Sequence, residues 1–171
     1  MSSNCPRTHF LVWILKYTQK PHLIFLFAAL TLTLATSARA ATLVVTKTAD
    51  TNDGVCDSDC SLREAISSAN AIGGGEIIFN SNVFNVPRTI VLSGGTLSIL
   101  SSGLVTITGT GTHLVSISGN NASRVFYVAN KANLTLNNIV VTQGNSIAQS
   151  DGGTGGGLFG SSHSNVSIIN C

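Results

Sequence analysis

From residue 76 onward, the chain consists of short segments rich in β-branched residues, separated by glycine and asparagine. The segments cover residues 76–79, 89–92, 96–100, 104–108, 113–117, 124–129, 133–142 and 165–169. Apolar and polar residues alternate within them, as in Val105-Thr106-Ile107-Thr108, so each strand has one inward face. Strands joined by corners, without crossover helices, predict a mainly β solenoid in which each turn lies on the previous one. At roughly 20 to 30 residues per turn, residues 76–171 make about four turns.

A short amphipathic helix precedes these segments. Ser61 and Glu64 form a capping box, in which each side chain satisfies a free backbone donor at the helix start. One apolar stripe follows at positions i, i+3, i+4 and i+7, consisting of Leu62, Ala65, Ile66 and Ala69. Glycines 73–75 end the helix. Such a helix is unstable alone in water, so we expect residues 41–75 to form a cap over the first turn of the solenoid, residues 76–171.

The start of this helix carries a family resemblance. Similar segments are CSLREA at 60–65, TLVVT at 42–46, TAD at 48–50, NA at 70–71, IIF at 77–79 and ISGNNASRVF at 117–126. The chain resembles secreted bacterial surface proteins in which a CSLREA-type module precedes a right-handed parallel β-helix. The resemblance implies a right-handed β-helix of the pectin-lyase-like type, in a protein similar to adhesins and polymorphic outer-membrane proteins.

Residues 1–40 have the pattern of an export signal. Arg7, Lys16 and Lys20 form a positive n-region, residues 23–35 form an apolar run, and Ala38-Arg39-Ala40 offers a cleavage site. This run is shorter than a typical transmembrane helix. We therefore expect a secreted or cell-surface protein without a membrane span after cleavage. An uncleaved anchor is the alternative, because an apolar patch at residues 10–15 lengthens the n-region.

Removal of the signal would reverse the sign of the net charge. The whole chain has a formal charge of +2, with 9 Lys and Arg against 7 Asp and Glu. Arg7, Lys16, Lys20 and Arg39 would leave with the signal, whereas all the acidic residues would remain. The remaining chain has no basic patch, so we expect no nucleic-acid partner.

The loop before the helix has two interpretations. In an oxidising compartment, Cys56 and Cys60 form a local disulfide that fixes the turn at the start of the helix. The alternative is calcium binding by the acidic residues of the same region, Asp50, Asp53, Asp57 and Asp59. Their spacing departs from the EF-hand pattern. We expect the disulfide and a solvated acidic turn, with no cofactor.

Catalytic groups are sparse in the strand-rich part. β-Helical polysaccharide lyases and hydrolases use clustered carboxylates on neighbouring turns, whereas only Asp151 follows Glu76 here. One carboxylate cannot serve as both acid and base, so we expect no enzyme activity from this segment. The favoured function is structural and adhesive, with a surface glycan or extracellular matrix as partner. The alternative is the N-terminal part of a β-helical lyase or glycoside hydrolase. Residues 165–171 resemble a strand without a second cap, which predicts a truncated solenoid.

Overall fold

The structure is a computed structural model that describes residues 41–147 and 153–171. In chain order its elements are β1 (Thr42–Val45), α1 (Leu62–Ile72), β2 (Gly75–Phe79), β3 (Arg88–Val91), β4 (Leu97–Ile99), β5 (Leu104–Thr108), β6 (Val115–Ser118), β7 (Phe126–Val128), β8 (Asn133–Asn137), β9 (Ile139–Thr142), β10 (Leu158–Gly160) and β11 (Asn165–Ile169). The predicted export signal (residues 1–40) and Asp151 lie outside the described residues. Within the described ranges, no helix is long and apolar enough to cross a membrane.

The strands form three parallel sheets. Sheet A has the order β1-β2-β5-β8-β11, sheet B the order β3-β6-β9, and sheet C the order β4-β7-β10. Every pairing between neighbours is parallel. Each coil, meaning one turn of the solenoid, places one strand in each sheet. The parallel β-solenoid predicted from the sequence is therefore confirmed.

The coils lie at or just above the upper end of the length expected from the sequence pattern. Glu76, Thr106, Thr135 and Ser167 occupy equivalent positions in sheet A, so successive coils take 30, 29 and 32 residues. Strands β2 to β10 accordingly make up three coils, and β11 adds one further strand to sheet A, rather than the expected four turns. Most of each coil lies in the connecting segments, because the strands themselves take only three to five residues each.

The interior is filled by side chains stacked in register from coil to coil. In sheet A, Ile77, Ile107 and Leu136 occupy one position and are at most 1% exposed. Near the start of the solenoid, the rings of Phe79 and Phe84 meet edge to face, with centroids 5.0 Å apart. Full burial of such a side chain contributes about 1.5–3 kcal/mol, so these columns are the main source of stability.

The corners between sheets use glycine and asparagine for different reasons. Asn138 alone turns the chain from β8 into β9, in the left-handed conformation with φ 55°. Gly109 is outside that conformation, but a Cβ atom there would lie 2.2 Å from the carbonyl oxygen of Asn138. Glycine at 109 is thus required by the close approach of the neighbouring coil. The sequence suggests a left-handed corner at both Asn138 and Gly109. It does not distinguish the left-handed backbone of Asn138 from the lack of space for a side chain at Gly109.

Candidate functional sites: the helical cap and the outer face of sheet A

Helix α1 begins with the reciprocal hydrogen bonds of a capping box. The Ser61 hydroxyl accepts from the backbone N–H of Glu64 at 3.1 Å, and the Glu64 carboxylate accepts from the backbone N–H of Ser61 at 2.7 Å. Gly73 ends the helix in the left-handed conformation. The apolar stripe packs against the solenoid, because its members are at most 3% exposed: Leu62, Ala65, Ile66 and Ala69. The helix contacts β1, β2 and β4.

Glu64 is a fully buried carboxylate with several partners. Besides Ser61, it accepts from the Thr51 hydroxyl and the Asp53 backbone N–H, both at 3.2 Å. The Lys47 ammonium lies 3.7 Å from it. Burial on its own raises the pKa of Glu64, but the hydrogen bonds from Ser61 and Asp53 and the charge of Lys47 outweigh burial and lower the pKa. Glu64 therefore joins the loop before the helix to the helix start as an anion.

Arg63 connects the helix to the free edge of sheet C. Its guanidinium forms two hydrogen bonds to the Asp50 carboxylate, at 2.8 and 2.9 Å. It also donates to the carbonyl oxygens of Gly95, at 2.7 Å, and Thr96, at 3.3 Å, just before β4. Since β4 is the first strand of sheet C, Arg63 satisfies carbonyl groups that have no preceding strand in that sheet.

Asp50 completes this network. Its carboxylate accepts from the backbone N–H groups of Ser93 and Gly94, at 2.8 and 2.9 Å, in addition to Arg63. Burial acts to raise the pKa of Asp50, but the Arg63 hydrogen bonds, followed by those from Gly94 and Ser93, lower it below its usual value. One carboxylate thus links the loop after β1, the helix and the turn before β4.

Asn70 pairs with β4 in the manner of a neighbouring strand. Its side-chain amide donates to the Ser98 carbonyl and accepts from the Leu100 N–H, both at 2.8 Å. In a parallel sheet, a residue pairs in this way with the two residues that flank its partner. The Asn70 carboxamide therefore stands in for a peptide group opposite Ile99. Arg63 and Asn70 lie outside the apolar stripe, so the helical pattern does not reveal this role, although their seven-residue spacing puts both on one side of the helix.

Replacing Asn70 with alanine should lower the free energy of unfolding by about 1–2 kcal/mol, because the Ser98 carbonyl and the Leu100 N–H lose their protein partner. Urea denaturation of the full chain measures this loss. Ser67→Ala is the matched control, since Ser67 is exposed on the same helix. Equal denaturation midpoints for the two variants would contradict a role of Asn70 at the sheet edge.

Acid should destabilise the fold. In the unfolded chain, the pKa values of Asp50 and Glu64 return to the ordinary 3.8 and 4.5. Their lowered pKa values in the folded state stabilise the fold above this range, and the contribution is lost as the pH falls through the folded-state values. We expect a free energy of unfolding that declines below about pH 4.5. Urea titrations from neutral to acidic pH should show a shallower decline for Glu64→Gln than for the unaltered chain, and equal slopes would contradict this assignment.

A disulfide between Cys56 and Cys60 closes the loop before the helix, as the sequence predicts. Cys60 is fully buried, and its backbone exchanges hydrogen bonds with Thr46, at the end of β1. The disulfide therefore holds the start of the helix close to the first strand. A four-residue separation gives about 2 kcal/mol of stabilisation in the chain-entropy model.

The four aspartates of the calcium alternative have separate partners. Asp50 binds Arg63, and Asp59 lies 2.9 Å from the Lys47 ammonium. The Asp53 and Asp57 side chains accept backbone N–H groups two residues ahead, at Val55 and Asp59, as in Asx turns. Within residues 41–147 and 153–171, no three His, Cys, Asp or Glu side chains form a group that could hold a metal ion.

The outer face of sheet A carries a second candidate site. Register pairing aligns five outward-facing residues across the sheet, four with a hydroxyl group and one with a carboxylate. They are here called the hydroxyl row: Thr42, Glu76, Thr106, Thr135 and Ser167. Beside it, Leu104, Asn133 and Asn165 form a second row, in which the Asn165 amide donates to the Asn133 side-chain oxygen at 2.8 Å. Alternation in the sequence predicts outward-facing threonines in single strands, but it does not predict their alignment.

A shallow groove runs between these two rows. Its volume is about 330 Å³, and its lining comprises Leu104, Asn133, Leu134, Thr135, Asn165, Val166 and Ser167. Leu104 is 55% exposed and gives the groove one apolar wall. The remaining outward side chains are amides and hydroxyls, so the groove can offer hydrogen bonds and apolar contact together.

Comparison with known proteins adds no assignment for either site: no family model, curated protein or solved structure matches the chain.

Proposed function

We propose that this chain is a secreted or cell-surface β-helix protein with a structural and adhesive function, and that this segment is not catalytic. The main observation that supports this proposal is the combination of a capped solenoid with a regular outer face of hydroxyl and amide side chains. A parallel solenoid presents its outward residues at fixed intervals along its axis, which suits display to an extended partner. The chemistry of the face supports a surface glycan or matrix component as that partner.

The distribution of carboxylates also supports a non-catalytic function. Asp50 and Glu64 are buried in the cap, where Arg63, Lys47 and backbone N–H groups engage them. In the described part of the coils, Glu76 is the one acidic side chain. General acid–base cleavage of a glycosidic bond generally requires two carboxyl groups placed across the bond. The Cys56–Cys60 disulfide further supports an oxidising, extracellular location.

Expression of the full chain with a C-terminal tag in a bacterial host tests this proposal. The expected result is extracellular or surface-attached protein that binds to cell surfaces and releases no sugar ends from polysaccharides. Retention in the cytoplasm would overturn the proposed location. Release of reducing or unsaturated sugar ends would overturn the adhesive function and favour a β-helical lyase or glycoside hydrolase.

A further inference from the structure

The hydroxyl row contains polar groups that the protein itself leaves unused. Within the described part of the chain, the hydroxyls of Thr106, Thr135 and Ser167 form no hydrogen bond with another residue. The Thr46 hydroxyl, which follows β1 and is not part of the row, instead donates to the Ser58 carbonyl at 3.1 Å. Neighbouring strands lie about 4.8 Å apart, so the free hydroxyls recur at that interval along the solenoid axis. A partner that uses the whole row must present hydrogen-bonding groups repeatedly in the same direction.

The charge of the face narrows the chemistry of that partner. Across the described strands of sheet A, the outward positions carry one charged side chain, the Glu76 carboxylate, and no lysine or arginine. Nucleic acids and polyuronates require positive charge for tight binding, and the carboxylate would repel them. A neutral polymer pays no such electrostatic cost. The face therefore matches a polymer that is rich in hydroxyl groups and carries no negative charge.

The groove beside the row supplies the remaining element of a sugar site. Exposed Leu104 can contact the apolar C–H face of a sugar ring, while the Thr135 and Ser167 hydroxyls and the Asn165 side-chain oxygen offer hydrogen bonds to its hydroxyls. The Asn133 amide is already engaged, since it donates to the Ser102 carbonyl and accepts from Asn165. Binding sites for small units commonly combine apolar surface with a few placed polar groups. We propose that the hydroxyl row and this groove bind a neutral polysaccharide whose chain runs along the solenoid axis. This inference rests on the proposed adhesive function and names its ligand class and site.

Affinity electrophoresis of the full chain tests the inference. Native gels contain galactomannan, hydroxyethyl cellulose or laminarin as neutral polymers, or polygalacturonate as the anionic comparator. The test variant is Thr106→Val with Thr135→Val, which removes two hydroxyls and keeps β-branched side chains of similar shape. The matched control is Thr89→Val, since Thr89 is exposed on the outer face of sheet B. Equal urea midpoints establish that both variants are folded.

We expect at least one neutral polymer to retard the chain while polygalacturonate does not. The double variant should bind that polymer at least tenfold more weakly, and Thr89→Val should bind it unchanged. Equal binding by the double variant would overturn the assigned site, and retardation by polygalacturonate alone would overturn the ligand class. Absence of retardation in every neutral gel would also overturn the inference. None of these results removes the adhesive function, which fails separately if the chain does not attach to cell surfaces or cleaves polysaccharides.

Discussion

A chain with Leu62→Asp is expected to lose about 4–5 kcal/mol of its free energy of unfolding, because the substitution buries an unpaired charge. Leu62 is 1% exposed at the start of α1 and belongs to the stripe that packs on the solenoid. Urea denaturation of the full chain, followed by far-ultraviolet circular dichroism, measures the loss.

Ser67→Asp is the matched control, because it places the same charge on an exposed position of the same helix. Its denaturation midpoint should stay close to that of the unaltered chain. If Leu62→Asp does not accumulate in folded form, Leu62→Ala gives a milder test, with an expected loss of about 2–5 kcal/mol from the cavity. Unchanged stability in both Leu62 variants would mean that the helix does not pack on the solenoid.

Asp50→Ala is expected to cost about 3–5 kcal/mol, because it leaves the Arg63 guanidinium without its anion in a largely buried site. The side chains of Asp50 and Arg63 are 1% and 14% exposed. The substitution also removes the acceptor for the backbone N–H groups of Ser93 and Gly94. Thermal and urea unfolding both report the effect.

The control for this change is Asp57→Ala, since Asp57 is exposed and its carboxylate bonds only a local backbone N–H. It should lower stability by at most about 0.5 kcal/mol. A further variant, Asp50→Ala with Arg63→Met, removes both charges and should be more stable than Asp50→Ala alone. If the double variant is the less stable one, an isolated buried charge is not the cause of the loss.

The local features of the cap were accessible from the sequence, whereas its contacts with sheet C were not. The capping box, the apolar stripe and the disulfide depend on residues within eight positions of one another. Arg63 and Asn70, in contrast, bind backbone groups that lie 28 to 33 positions further along the chain. A helical pattern treats polar residues off the stripe as solvent-facing, so it does not reveal that these two side chains pair with a strand edge.

The strands show the same division. Residues 133–142 read as one β segment, but Asn138 turns the chain there and separates β8 from β9. Strand β10, Leu158–Gly160, was missed because glycines flank and end it. Its extended form depends on parallel pairing with Phe126–Val128 in the preceding coil. Long-range pairing therefore overrides weak local β propensity at this position.

Alignment of the hydroxyl row also depends on information that local pattern does not contain. Alternation identifies Thr106 and Thr135 as outward-facing residues, but corner lengths decide whether they share a register position. A change of one residue in a corner would move a strand's outward set to the inner face. The row is thus defined by the 29-residue separation of these two threonines, which only the strand pairing reveals.

In-register coils have a consequence for the order of folding events. Residues that pair between coils in sheet A lie 29 to 32 positions apart. A strand of one coil can therefore form its backbone hydrogen bonds only after the neighbouring coil has formed. The contacts of the cap, by contrast, are local: the two capping-box residues lie three positions apart, and the two disulfide cysteines lie four positions apart. We expect nucleation there, followed by sequential templating of each later coil. Pulsed hydrogen–deuterium exchange during refolding should accordingly show amides of β2 gaining protection before those of β8.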